Sequence, residues 1–317
     1  MDTPVIAIVG PTAAGKTDAA LDLAERLGGE IINADALQVY RGFDIGTAKP
    51  SAEERARVPH HLVDILDPTE RYSAGEFARR ARVAIDDIRS RHRVPLVVGG
   101  SGLYIRALFE GLSPVPPGDE TVRRQLRDRL ADEGLPVMLE ELRALDPEGA
   151  DRLPAGDTQR ILRALEVVLV SGEPLSSWVA RRPFGAHPLE GLKIGLTLPR
   201  AVLYDRIARR TQRMVASGWV GEVRGILASG VPRDSPAFQA IGYRQLVRHV
   251  EGTCSLDEAV SEIVQATRRF AKRQLTWFRR EPSLHWLPAN ELAAHVFQMF
   301  STRLVRDLGG SHGETQH

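Results

Sequence analysis

The chain has 317 residues, 43% of them apolar and 26% charged, with Lys plus Arg totalling 42 against 41 for Asp plus Glu. These proportions exclude wholesale disorder and collagen-like structure, and at roughly 150 residues per domain the length predicts about two domains. No stretch approaches the ~18 apolar residues of a membrane span, and the single cysteine, Cys254, excludes an internal disulfide or a Cys-built zinc site.

Met1-Asp2-Thr3-Pro4 leads straight into a strand without the parts of a secretory signal, so a soluble cytoplasmic protein is expected. That strand, Val5-Ile6-Ala7-Ile8-Val9, is rich in β-branched residues and reads as the buried centre of a parallel sheet. A helix is predicted from Lys16 to about Leu27, with Ala20, Leu23, Ala24 and Leu27 on one face and Gly28-Gly29 as its stop. Glu30 to Asp35 reads as a second strand. Ser73-Ala74-Gly75-Glu76 is a capping box that opens a helix to about Arg91, its stripe being Phe77, Ala81, Ile85 and Ile88. Pro95-Leu96-Val97-Val98 is the third strand, ending in Gly99-Gly100-Ser101-Gly102. Strands alternating with helices predict an α/β fold wound in parallel.

The breaker cluster Ser113-Pro114-Val115-Pro116-Pro117-Gly118 then marks a domain boundary. From Asp119 to about Ser171 the pattern is helical throughout, with Val122, Leu126 and Leu130 spacing one helix and Ile161, Leu165 and Val168 another. A loosened stretch at Arg181 to Pro188 ends this block. Lys193 to Leu198 returns as a strand, and Pro199 starts the next helix. Ser255-Leu256-Asp257-Glu258 caps a long helix to about Arg280, Leu284 to Leu287 is a last short strand, and the tail from Leu308 reads as frayed. The expected organisation is a parallel-sheet core at 1–113 and 191–317, with an all-helical insertion at 114–190.

Gly10-Pro11-Thr12-Ala13-Ala14-Gly15-Lys16-Thr17 has the glycine, lysine and threonine spacing of a phosphate loop, between a strand and a helix as that motif requires. Backbone N–H groups at the helix start would face an anion, Lys16 would add a point charge, and Thr17 would offer its hydroxyl to Mg²⁺. The core is therefore expected to be P-loop NTPase-like. The third strand ends in Gly-Gly-Ser, where many such proteins carry a magnesium-holding Asp. An acid, Asp35, instead ends the second strand, where it would serve as a general base or, read alone, as a turn cap. Arg206, Arg210 and Arg213 share a helix face. His60, His61 and Asp64 do not make a metal site on spacing alone.

The phosphate loop is followed in order by Asp35-Ala36-Leu37-Gln38-Val39-Tyr40-Arg41-Gly42, Asp44-Ile45-Gly46-Thr47-Ala48-Lys49-Pro50 and Val98-Gly99-Gly100-Ser101-Gly102-Leu103-Tyr104. Ile241-Gly242-Tyr243-Arg244-Gln245 and Lys272-Arg273-Gln274-Leu275-Thr276-Trp277 complete a set that resembles the bacterial tRNA dimethylallyltransferases up to Trp286. The resemblance implies transfer of a dimethylallyl group from dimethylallyl diphosphate to N6 of adenosine 37, beside the anticodon. It implies that the phosphate loop holds the diphosphate, although such loops are commonly described as ATP-binding. It makes Asp35 the base, and Lys16, Arg210 and Ser101 the remaining catalytic candidates. For the tRNA anticodon stem-loop it implies Asp35, Ala36, Leu37 and Gln38; Ser101; Arg123; Gln159, Arg160, Ile161, Leu162 and Arg163; and Ala240, Ile241, Gly242, Tyr243, Arg244 and Gln245. The basic segment Arg268 to Arg280, with Lys272 and Arg273, would follow RNA phosphates, while Phe270, Leu275 and Phe278 read as its buried stripe. Three positions depart from the family pattern: Ser101 replaces a usual Thr, while Ala36 and Ala14 each replace a usual Ser. A monomer with Mg²⁺ as cofactor is expected.

Two other classes compete. A nucleotide or metabolite kinase would use the same phosphate loop but leaves the helical block and basic helix unexplained. An ATP-regulated RNA-binding protein would retain RNA without changing it covalently. A variant of the same chemistry, acting on free adenine nucleotides, would need none of the RNA contacts.

Overall fold

A computed structural model describes residues 3–181, 188–281 and 283–299. Most of the loosened stretch expected at Arg181 to Pro188, and all of the tail from Leu308, lie outside the described residues. The chain divides into two compact units, Met1–Leu108 with Glu190–His317, and Phe109–Leu189.

In the first unit the strands are β1 (Val5–Val9), β2 (Glu30–Ala34), β3 (His60–His61), β4 (Pro95–Gly99), β5 (Gly191–Leu196) and β6 (Leu284–Leu287). They form one sheet in the order β3-β2-β4-β1-β5-β6, every pairing parallel. β1, β2 and β4 are buried along their whole length, so the apolar runs read from the sequence lie at the sheet centre. β3 corrects the expected count, making Pro95–Gly99 the fourth strand. It pairs Ile31 with His60 and Ile32 with His61 at the sheet edge. Two half-buried histidines carry no apolar or β-branched signal, so only tertiary pairing selects them.

The helices in chain order are α1 (Lys16–Leu27), α2 (Ala52–Arg57), α3 (Ala74–Ser90), α4 (Gly102–Phe109), α5 (Glu120–Glu133), α6 (Leu135–Leu145) and α7 (Pro147–Asp151). They continue as α8 (Thr158–Ser171), α9 (Leu175–Ala180), α10 (Arg200–Ala216), α11 (Trp219–Ala228), α12 (Tyr243–Val250) and α13 (Leu256–Phe278). α1 buries Ala20, Leu21, Leu23 and Ala24 against the sheet. Side chains such as Ile6, Ile8, Leu23 and Ile32 lie wholly inside, each stabilising the fold by about 1.5–3 kcal/mol. At the start of α3 only half of the expected capping box forms. Ser73 accepts from the Glu76 N–H, while the Glu76 carboxylate turns to Arg79 and Arg80. The box at α13 is complete between Ser255 and Glu258.

The second unit closes around Leu126, Met138, Leu139, Leu142, Ile161, Ala164 and Leu165. On α8 the buried residue is Val167, not the expected Val168, because the stripe widens to Ala164 and Glu166. Glu166, with its side chain 2% exposed, is, like Asp146, buried in this unit. Its carboxylate accepts from the Asp119 N–H (2.8 Å), Arg123 (2.8 Å) and Arg163 (2.7 Å), so its burial is offset by pairing and hydrogen bonding.

Candidate active site

Strand order reverses direction at β1, which has β4 on one side and β5 on the other. In such sheets the crevice beyond the carboxyl ends of the strands at this point is the ligand site. The phosphate loop leaves β1 there, and Gly100-Ser101 leaves β4. Gly15 caps α1 in a left-handed conformation, and Ala13 also takes a positive φ of 64°. Among the described residues, the N–H groups of Gly15, Lys16 and Thr17 meet no intramolecular acceptor. These are the orphan donors of a helix start, and with the helix dipole they suit a phosphate. Ala14, where a Ser is usual, is 1% exposed in the main core, so its methyl packs where a hydroxyl would need a partner.

The Lys16 ammonium folds over the loop and donates to the carbonyls of Gly10 (3.1 Å) and Pro11 (2.8 Å). Burial pushes it down to about 8; the Asp35 carboxylate acts to raise it and the Arg210 guanidinium to lower it. Burial also lowers Arg210, again opposed by Asp35, and its guanidinium reaches the Thr12 hydroxyl at 3.4 Å. Two cations and one carboxylate from three distant segments therefore share one electrostatic site. Arg206 approaches the same loop, 3.6 Å from where a Cβ on Gly15 would stand.

Asp35 sits just past β2. Its Oδ1 accepts the Leu37 N–H at 2.9 Å, and its own N–H donates to Asn33 Oδ1 at 3.1 Å. The turn-cap role and a role toward substrate are thus compatible, since Oδ2 has no hydrogen-bond partner among the described residues. The loop after Asp35 is held from below. Gln38 spends its amide on the carbonyls of Thr47 (3.2 Å) and Ala48 (3.0 Å). Lys49, 2% exposed, donates to the Tyr40 carbonyl (2.7 Å) and pairs with Asp44 and Asp64. Glu222 on α11 accepts from the N–H groups of Asp44 (3.0 Å), Ile45 (2.7 Å) and Gly46 (3.4 Å), and from the Tyr243 hydroxyl (2.5 Å). The motifs around Gly46 and Gly242 meet at Trp219, which would collide with a Cβ at either glycine.

The residues expected to meet RNA differ widely in exposure. Ile161 and Tyr243 are fully buried, and Ala240 and Gln245 are at most 5% exposed. The first belongs to the helical core and Ala240 and Tyr243 to the cluster around Trp219, while Gln245 accepts the Gly242 N–H. Gly242 is buried, and Leu37, Leu162 and Ile241 pack partly against these cores. Arg123 and Arg163 are engaged by Glu166, and Arg163 also by the Pro116 carbonyl (2.6 Å). Gln159, Arg160, Arg244, Lys272 and Arg273 are exposed, and Ala36 is half-buried. Arg244 opens onto a cavity of about 320 Å³ lined also by Arg248, Arg269, Glu262 and Gln265, with Arg248 paired to Glu262 at 2.9 Å.

In the basic C-terminal part of α13 the buried residues are Ala271, Gln274 and Phe278, whereas Phe270 and Leu275 are only half-buried. Gln274 takes the central inward position that a pattern of apolar residues could not reveal. His60 and His61 have structural partners, the Val58 carbonyl and Glu30, each at 2.7 Å. Among the described residues no three or more His, Cys, Asp or Glu side chains converge as a metal cage. A cation at the phosphate loop would instead be held by Thr17, a bound anion and water, as magnesium commonly is.

Known proteins resemble this chain along most of its length. A family model described as IPP transferase matches residues 38–281, and one described as isopentenyl transferase matches residues 3–61. The tRNA dimethylallyltransferase of Geobacter metallireducens is 50% identical over 285 residues, covering 90% of this chain and 92% of its own. That of Halorhodospira halophila is 52% identical, covering 88% and 91%. The tRNA isopentenylpyrophosphate transferase of Bacillus halodurans superposes with a TM-score of 0.69 at 37% identity, covering 98% of this chain and 99% of its own. A eukaryotic dimethylallyltransferase captured acting on tRNA gives 0.76 at 25% identity, covering 99% and 81%. A family model covering most of the chain and relatives near 50% identity along nine-tenths of its length leave one conclusion: the chain belongs to the IPP transferase family.

Proposed function

We propose that the protein transfers a dimethylallyl group from dimethylallyl diphosphate to N6 of adenosine 37 in tRNA, giving N6-dimethylallyladenosine and diphosphate. The observation that carries this reading is the electrostatic triangle of Lys16, Arg210 and Asp35 at the mouth of the phosphate loop. In the reaction the N6–C1 bond forms as the C1–O bond breaks, and the electron pair leaves on the diphosphate. Asp35 takes the proton that N6 sheds. Lys16, Arg210 and the free N–H groups of Gly15 to Thr17 meet the charge that grows on the leaving group, so they favour the transition state over the bound substrate. Mg²⁺, which Thr17 would hold, neutralises the diphosphate when bound. Ser101 offers a hydroxyl from the β4 side of the crevice.

An anticodon-loop adenine is stacked, and extruding it costs a few kcal/mol that contacts to flanking nucleotides must offset. Gln159, Arg160, Arg244, Lys272 and Arg273, exposed on both units, are the side chains best suited to supply them. The protein is read as a monomer acting in the cytoplasm; no helix among the described residues is long and apolar enough to cross a membrane. Labelled dimethylallyl diphosphate with tRNA tests the assignment. Label appearing in tRNA, absent with Asp35→Asn, is expected. Robust γ-phosphoryl transfer from ATP to a small molecule without RNA labelling would falsify it.

A further inference from the structure

Gln274 is 6% exposed, yet it lies on a helix whose neighbouring residues Lys272 and Arg273 face solvent. Its carboxamide makes two long-range bonds. Oε1 accepts the Thr12 N–H of the phosphate loop at 2.8 Å, and Nε2 donates to the Gly100 carbonyl after β4 at 2.9 Å. Thr12 supplies a donor and Gly100 an acceptor, so a carboxamide satisfies both, whereas a carboxylate or thioether leaves one or both unmet. The site is shaped around this residue: a Cβ at Gly100 would overlap the Gln274 amide, and one at Gly102 would overlap Trp277, one turn further along α13. Beside it, Ala13 packs on the cluster of Leu203, Ile207 and Ala271 from α10 and α13.

We propose that Gln274 is a positioning residue for the diphosphate: it clamps the phosphate loop to the turn carrying Ser101, so that the free N–H groups of Gly15 to Thr17 stand preorganised for the anion. The inference rests on the diphosphate reading above. It assigns the inner edge of the basic helix to the small substrate and leaves its outer edge to RNA. Since the loop conformation includes a positive φ at Ala13, a strained backbone for a non-glycine residue, it needs such an external brace.

The test is calorimetric titration of the full-length protein with inorganic pyrophosphate and Mg²⁺, beside titration with an anticodon stem-loop and a thermal melt. Gln274→Met keeps the volume and removes both bonds, Gln274→Glu keeps only the acceptor, and Gly100→Ala displaces the amide without removing it. Each is expected to weaken pyrophosphate at least tenfold while stem-loop affinity stays within threefold. In turnover, KM for the prenyl diphosphate should rise while KM for tRNA holds, a split that general loosening does not produce. Pyrophosphate affinity within twofold of wild type in any folded variant overturns the clamp, as does equal weakening of both ligands. Should Gln274→Met fail to fold, the other two variants decide by the same criterion. Wild-type protein that ignores pyrophosphate refutes instead the diphosphate reading beneath it.

Discussion

Lys16 offers the sharpest quantitative test, because burial has brought its ammonium down to about 8 from an ordinary 10.5. At pH 7 such a group is about 90% protonated and at pH 9 about 10%, by the usual titration relation. The anion requires the charged form, so the lysine's share of diphosphate affinity is present below pH 8 and is lost as pH rises through that value. The expected loss between pH 7 and pH 9 is about tenfold, the ratio of those two fractions. The ligand itself also titrates, and a Lys16→Arg variant removes that contribution, since a guanidinium stays charged throughout. The assay is pyrophosphate titration of both proteins at intervals from pH 6.5 to 9.5, plotting the ratio of their affinities. The ratio should be flat at low pH and turn down near pH 8. A flat ratio through pH 9.5 would mean that Lys16 keeps an ordinary ammonium, and the electrostatic account of the site would fail. The sign for stability is opposite: the unfolded chain holds this proton to higher pH, so between about pH 8 and 10.5 this residue makes the ligand-free fold more stable as pH rises.

Asp35→Asn should lower kcat by at least about 10²-fold, the range of general base catalysis. Because an Asn oxygen still accepts the Leu37 N–H, its melting temperature should stay near that of wild type; a large drop in thermal denaturation would show that the carboxylate serves mainly the turn. Glu222→Ala removes the acceptor for three loop N–H groups and the Tyr243 hydroxyl, and should cost about 2–4 kcal/mol in urea unfolding. An unchanged unfolding midpoint would show that water replaces those bonds freely. Arg244→Ala combined with Arg269→Ala empties the basic cavity between α12 and α13 of two charges. If both meet RNA phosphates, the slope of log affinity against log salt should shrink by roughly 1–2. An unaltered slope places the RNA elsewhere.

The parts of the site readable from sequence are those built by local rules. The phosphate loop, α1 and the buried run Val5–Val9 lie within some twenty contiguous residues, and steric and capping preferences specify them without help from the rest of the chain. The parts not readable there are those whose setting depends on a partner the local pattern does not name. The pairing of Arg123 and Arg163 with a buried carboxylate on α8 has no sign in their spacing. Tyr243 lies in a motif rich in polar residues, and its full burial depends on the Glu222 carboxylate that its hydroxyl meets. Ser73 and Glu76 satisfied the pattern of a capping box, but two nearby arginines compete successfully for the glutamate.

The sequence by itself determined the α/β alternation, the glycine-rich loop that opens α1 and the acid that follows β2, because period, capping and turn chemistry act over a few residues. Only the tertiary structure decided which charges are free to act. Arg210 and Gln274 reach Thr12 across 198 and 262 residues of chain, and the burial that depresses Lys16 exists only once the sheet and these helices have closed around it. Desolvation and long-range hydrogen bonds are properties of the assembled interior, and no local pattern encodes them.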